Sequence, residues 1–593
     1  MKKILIYSPF QGIAEYSFPL SKIAESLKKT NSSVDLLLCS GLQIDTCYLQ
    51  ISHHKELISL EEKIKMCKWC KGYSKDSSKH FDNVVSLDES SLTSTELIQI
   101  NKVIFEIKKE EVEDFQIDEI PIARIACYNF LIRFQITNFQ SVTDEQFNIF
   151  KEYYLTSVLK TFYAYKKILS QNDYSVVVLS DPNYSLNQIV VKINEFEKVR
   201  SIAVFPTHHH RYFYDHYLLC YGDQHNHASD IMKGFEKRKL NSRKSREIAL
   251  DYLEALWNER QKFIFSSPKT NLLAEVREKC GILPEHKKVV VLVTSSLDES
   301  YATDFSVYKS ELWTNYEFLF ENQETWIEEC VKHFRKMKGV KLIIRCHPRE
   351  HYLEKTATSL EIERLSLKYS SDSIYFNFSS DDISVFDLLN ISDVCLVRAS
   401  SVGVQAGILG IPTISYLKNN RYYPNFFNPA TNLEYFETID SVLEKDDCRD
   451  IRFIEMQFQW LMYYYGEVSF KISSNKYWEI YPKTSAKEVE KKKLRIQKNL
   501  PVHEIDTYLN TAVVDEENEL ILHKYINDHQ EVWKSYEELS IDSYEKEDIT
   551  VLIKDLIKSI YGKDIHNESD LIFLTELMNQ NKTLQFYFEC LKN

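Results

Sequence analysis

The stretch Val394–Tyr416, VCLVRASSVGVQAGILGIPTISY, limits what this chain can fold into more than any other, because it spends the scarcest residue most densely. Gly occurs only 12 times in 593 residues, against an average usage of about 7%. Gly403, Gly407 and Gly410 all fall here, so the backbone has a local reason for them. The apolar run Val394–Val397 predicts a buried strand, Arg398 to Ser401 a turn, and Val402–Leu409 a helix capped by Ser400 or Ser401. Gly410 stops the helix, Pro412 follows, and Pro412–Tyr416 returns as a second strand, which completes a βαβ unit. Free N–H groups at the helix start, the helix dipole, two hydroxyls and Arg398 would converge at the mouth, the chemistry a phosphate or diphosphate needs. Serine caps and glycine stops also end helices that bind nothing, so on this segment both readings stand.

The rest of the chain is too long for one core. Its hydrophobic content of 44% and charged content of 27% are those of a globular protein. A net charge of −14 with no long basic run excludes nucleic acid as a partner class and points to a small anion held locally. No run approaches about 18 apolar residues, and MKKILIYSPF lacks a signal-peptide core, so a cytoplasmic location is expected. The 12 cysteines are then expected as reduced thiols.

In chain order, Lys3–Tyr7, a turn through Gly12, a helix over Ile13–Leu27 and a strand at Val34–Leu38 open a doubly wound α/β domain. Cys39, Cys47, Cys67 and Cys70, the last two in CKWC, are candidate ligands of a structural zinc or simply packed thiols. After the strands Tyr174–Ser180 and Ser201–Phe205 comes PTHHHRYFYDHY. Its histidines, with His209 as the candidate, are either a solvated loop or an acceptor-side general base, for which Asp215 and Glu15 compete.

A second α/β domain starts with Lys287–Val293, which ends in the hydroxyl-rich turn Thr294, Ser295, Ser296 before Asp298 and Glu299. The strand Val340–Cys346 runs into His347, Pro348, Arg349 and Glu350. Pro348 holds its neighbour extended and sets the imidazole at a strand end. Arg349 is placed either to meet a phosphate or to pair with Glu350. The expected organisation is 1–265 as an N-terminal α/β domain with a helical insertion and the cysteine cluster, and 266–430 as a C-terminal α/β nucleotide-sugar domain. Residues 431–480 are expected as helices returning across the interface, and 481–593 as a helical extension.

The order LVTSSLDES, LIIRCHPRE and ISDVCLVRASSVGVQAGILGIPTISY resembles the nucleotide-sugar half of GT-B glycosyltransferases, above all bacterial capsule-polysaccharide biosynthesis proteins. LLLCSGLQIDTC and CKWCKGY resemble the cysteine-bearing N-terminal half of some of them. The resemblance implies two Rossmann-like domains facing a cleft and a metal-independent transferase with no cofactor required for catalysis. It implies a nucleotide-sugar donor on Thr294, Ser295, Ser296, His347, Pro348, Arg349, Arg398, Ser400, Ser401, Gly403 and Gln405, with His347 and Arg349 at the reacting phosphate. Gln405 stands where many such proteins carry an acidic ribose ligand. The His-Pro motif is similar to that of transferases using CMP-linked sugars. A carbohydrate or lipid-linked glycan acceptor is implied, and a place peripheral to the membrane assembly machinery at its inner face. A CDP-glycerol-type polyol phosphotransferase, a sugar-nucleotide epimerase and a non-catalytic polysaccharide-assembly module share parts of this pattern.

Overall fold

The structure is a computed structural model that describes residues 2–12, 14–30, 32–47, 59–206, 216–222, 224–237, 243–258, 266–270, 272–308, 317–348, 357–398, 400–418, 423–472, 512–528, 549–566 and 581–592. Two units share the chain without dividing it end to end. Unit 1 is Met1–Gly234, Tyr301–Ser310 and Glu467–Ser540; unit 2 is Phe235–Ser300, Glu311–Gly466 and Ile541–Asn593. Of the C-terminal segments, the part up to Gly466 and Ile541–Asn593 fall in unit 2, and Glu467–Ser540 falls in unit 1.

Unit 1 is built on β1 (Lys2–Tyr7), β2 (Ser32–Cys39), β3 (Asn83–Leu87), β4 (Val176–Ser180), β5 (Arg200–Pro206) and β6 (His216–Tyr221). A late strand, Phe470–Lys471, completes the order β14-β6-β5-β4-β1-β2-β3 if the strands of both units are numbered in one series. From β3 to β5 the pairing is parallel; β6 runs antiparallel to β5, and β14 to β6. Ile4, Leu5 and Ile6 in β1, and Val176 to Leu179 in β4, are buried without alternation, as strands covered on both faces must be. The cover includes α1 (Ala14–Lys28), α2 (Leu60–Ser77), α3 (Ile122–Phe134), α4 (Thr156–Ser170) and α5 (Ser185–Phe196). α3 is buried almost continuously from Ile122 to Leu131, so the aromatic-rich region between β3 and β4 forms the core of this unit. Strand order reverses between β1 and β4, whose carboxyl ends carry the turns Ser8 to Gly12 and Asp181 to Tyr184.

Unit 2 has β7 (Lys288–Val293), β9 (Val340–Arg345), β10 (Ile374–Asn377), β11 (Val394–Val397) and β12 (Thr413–Ser415), all parallel in the order β10-β9-β7-β11-β12. A small antiparallel pair, β8 (Glu317–Phe318) and β13 (Leu417–Lys418), lies apart from that sheet. Here the order reverses between β7 and β11. The βαβ segment is as the sequence predicts: β11, then α6 (Val402–Ile408), then Gly410 at φ 75, then β12.

The three glycines of that segment have a packing reason. A Cβ at Gly403 would collide with the Tyr423 ring and hydroxyl, and one at Gly407 with Gln457 on α7 (Ile451–Leu461). At Gly410, φ 75 already disfavours a side chain, and a Cβ would stand 2.6 Å from Phe586. Phe586 belongs to α9 (Lys582–Lys592), which with α8 (Ile549–Tyr561) is built into unit 2. Tyr587 donates to the Ile408 carbonyl at 2.7 Å, Tyr561 to Asn390 at 2.8 Å, and Lys582 pairs with Asp393 at 2.5 Å. The short helix is crowded from three directions, which only a side chain reduced to hydrogen permits.

Candidate functional site

In unit 2 the predicted donor residues that the structure describes come from three adjacent strand ends. β9 delivers His347 and Pro348, β7 delivers Thr294, Ser295 and Ser296, and β11 delivers Arg398, Ser400 and Ser401. Because these strands are parallel, all three turns lie on one carboxyl edge. The last two flank the point where strand order reverses, the usual ligand crevice of a doubly wound sheet. Arg349 and Glu350 lie outside the described residues, as do His208, His209, His210, Arg211 and Asp215.

The hydroxyl-rich turn after β7 is largely committed to the fold. Thr294 is buried and bonds the Arg345 carbonyl through both its N–H, at 3.1 Å, and its hydroxyl, at 3.2 Å. The Gln323 amide clamps the Ser295 backbone on both sides, at 2.8 and 3.0 Å. Ser296 donates to the Asp298 carboxylate. Ser295 and the His347–Pro348 pair are partly exposed.

At α6 the expected free N–H groups are mostly engaged. Val402 N–H donates to the Ser400 hydroxyl at 3.3 Å and Gly403 N–H to the Ser400 carbonyl at 2.9 Å; the Ser401 carbonyl receives Val404 and Gln405. Ser400 is therefore the side-chain cap, while the exposed Ser401 makes no capping bond. The mouth also holds a cation and an amide. Arg398 is 9% exposed, its guanidinium 5.5 Å from the Phe318 ring centre and 5.8 Å from that of Tyr416. Its carbonyl is held by the Ser415 hydroxyl at 2.6 Å. Such stacking fixes the direction of a guanidinium while leaving its charge. Gln405, 8% exposed, has an amide oxygen with no hydrogen-bond partner, which a buried carbonyl rarely tolerates without a ligand or water to receive it.

In unit 1 the four early cysteines line one cavity at the carboxyl ends of β1 and β2, with Pro9, Gln43, Met66 and Lys71 among its other walls. Gly41 and Gly12 donate backbone N–H groups to the sulfurs of Cys39 and Cys70, at 3.4 and 3.3 Å. Burial pushes the thiols of Cys39 and Cys67 up, and that of Cys70 to about 12. Among the described residues no three His, Cys, Asp or Glu side chains are placed to hold a metal ion. CKWC itself lies inside α2, not at a strand end.

Sequence reasoning passed over Asp181, the first residue after β4. The signal was present in VVVLSDPN, a buried strand ending at a carboxylate followed by proline.

No family model and no curated protein matches the chain. Among solved structures it is similar to a putative UDP-N-acetylglucosamine 2-epimerase from Listeria monocytogenes, at 8% identity over 77% of this chain and 91% of that one, with a TM-score of 0.24. It is similar to the spinosyn rhamnosyltransferase SpnG, at 9% identity over 78% and 96%, with a TM-score of 0.24. A UDP-GlcNAc 2-epimerase from Neisseria meningitidis bound to UDP-GlcNAc gives 9% identity over 77% and 94%, with a TM-score of 0.25. Likenesses this distant carry no argument. The class of protein, two doubly wound α/β units whose strand order reverses once in each sheet, is read from the strand orders themselves.

Proposed function

We infer that the chain is a glycosyltransferase of GT-B type that binds a nucleotide-sugar donor at the carboxyl edge of unit 2 and transfers the sugar to a carbohydrate or lipid-linked glycan acceptor. The observation that carries the reading is Arg398, a buried guanidinium set against two adjoining aromatic rings where strand order reverses. In that reading Arg398 receives the donor diphosphate or phosphate, the uncommitted Ser401 hydroxyl adds a hydrogen bond, and Gln405 accepts from a ribose hydroxyl. His347, past β9 and one strand removed from β11, meets the leaving phosphate, joined by Arg349. Fixed donors aimed at a group whose negative charge grows as the glycosidic bond breaks lower the barrier without reorganising. The His-Pro pair favours a CMP-linked donor by its resemblance to transferases of that kind. By the wider resemblance, the setting is bacterial surface-polysaccharide synthesis in the cytoplasm, at the inner face of the membrane. No helix among the described residues is long and apolar enough to cross a membrane.

A thermal-shift screen against CMP, CDP, UDP and GDP tests the reading, because a ligand that binds the native state raises its melting temperature by mass action. CMP is expected to give the largest shift. A chain that none of the four stabilises is not a nucleotide-sugar transferase.

A further inference from the structure

The crevice of unit 1 differs in chemistry from that of unit 2. Strand order reverses between β1 and β4, and the first residue past β4 is Asp181. Its backbone sits at φ 39, in the left-handed region that a side chain rarely occupies. The Asn187 side chain on α5 holds this bend by donating to the Ser180 carbonyl at 2.5 Å and the Asp181 carbonyl at 3.0 Å. A residue kept in a sparsely populated conformation by a dedicated buried amide is over-determined by its surroundings, the circumstance in which such conformations persist at ligand sites.

Asp181 is partly exposed as a residue, and the partners of its carboxyl group are few. The Tyr16 hydroxyl of α1 donates to it at 3.2 Å, and the Asn183 backbone N–H of its own turn donates as well. The turn after β1, the strand paired with β4, carries Ser8 and Gln11, which are bonded to each other at 2.7 Å. Among the described residues no Lys, Arg or His pairs with Asp181, and burial pushes its pKa up to about 6. A carboxylate at the mouth, with hydroxyl and amide neighbours and no cation, repels a phosphate and suits a neutral ligand rich in hydroxyl groups.

We propose that the turn after β4 is a saccharide-binding site of unit 1 in which the Asp181 carboxylate accepts a hydrogen bond from a ligand hydroxyl and Tyr16 orients the carboxylate. Binding at this site does not depend on the sugar-transfer reading.

The test uses the full chain on an oligosaccharide array, with the Asp181→Asn and Tyr16→Phe variants beside it. Wild type is expected to retain at least one saccharide. Asp181→Asn should lose at least tenfold in affinity for it, Tyr16→Phe should lose less, and the nucleotide thermal shift should be unchanged in both. A wild-type chain that binds no saccharide, or an Asp181→Asn chain that binds as wild type, overturns the site. Loss of the nucleotide shift in the wild type, with saccharide binding intact, would instead remove the transferase reading and leave this site standing. Should Asp181→Asn fail to fold, Asp181→Glu, which keeps the charge and moves it by one methylene, should bind at least threefold more weakly; unchanged affinity overturns the proposal.

Discussion

At the scale of single residues, the two crevices carry charges of opposite sign that the fold must hold partly out of water. Asp181 titrates near 6 when folded, above the ordinary aspartate value of about 3.9. A raised carboxylate pKa means that the folded state binds the extra proton between those values, so the carboxylate's burden is absent below about 4, grows as pH rises through about 6, and is constant above. Asp181→Asn should therefore stabilise unit 1 at pH 8 by about 1–2 kcal/mol, less than the full shift implies because the bonds from Tyr16 and Asn183 to the carboxylate are weakened, and should bring no gain at pH 4. Denaturant melts at the two pH values check this; a destabilised variant at pH 8 would mean that Asp181 serves the fold. Arg398→Gln should weaken nucleotide binding by about 1.5–3 kcal/mol, the scale of a hydrogen bond to a charged group, as read by calorimetry. Ser400→Ala should instead lower stability by about 1 kcal/mol, the cost of a lost cap, since its hydroxyl is already engaged by Val402.

At the scale of elements, the βαβ unit shows what could be read from sequence and what could not. Strand, turn, helix, stop and strand were legible from Val394 to Tyr416 because periodicity and punctuation are local properties. The purpose of its glycines was not, because Tyr423, Gln457 and Phe586 come from elsewhere in the chain and only packing brings them to α6. Gly403→Ala should cost about 1–3 kcal/mol, the range for forcing a side chain into a filled core, while Gly407→Ala should cost less because Gln457 is unbranched and can shift. Gly403→Ala combined with Tyr423→Ala should be less destabilising than the sum of the two single changes. Additive losses, measured in denaturant, would show that the contact is not shared. Short strands were the other blind spot. β3, β6 and β10 escaped notice: β3 is mostly solvent-facing, and β10 is only Ile374–Asn377.

At the scale of the whole molecule, two doubly wound units were legible because each begins with a buried strand and a polar turn, at Lys3–Tyr7 and Lys287–Val293. Their membership was not, because the chain leaves each unit and returns to it. β14 pairs with β6 across a long sequence separation, with Phe470 opposite Tyr217. α8 and α9 carried no chemical signal, yet their Tyr561, Lys582, Phe586 and Tyr587 meet the loops and helix around β11. Removing Lys582–Asn593 should therefore expose unit 2 to limited proteolysis while unit 1 stays resistant, and uniform resistance would contradict the placement of α9. Asp181 and Arg398 then belong to separate units, each past a strand where strand order reverses.

The most direct test of nucleotide binding by unit 2 is hydrogen exchange of the full chain with and without the nucleotide that shifts its melting temperature most. Slowed exchange is expected in residues 294–298, 345–348 and 398–405. Unchanged exchange in all three segments, or protection confined to unit 1, would contradict the assignment of the donor site.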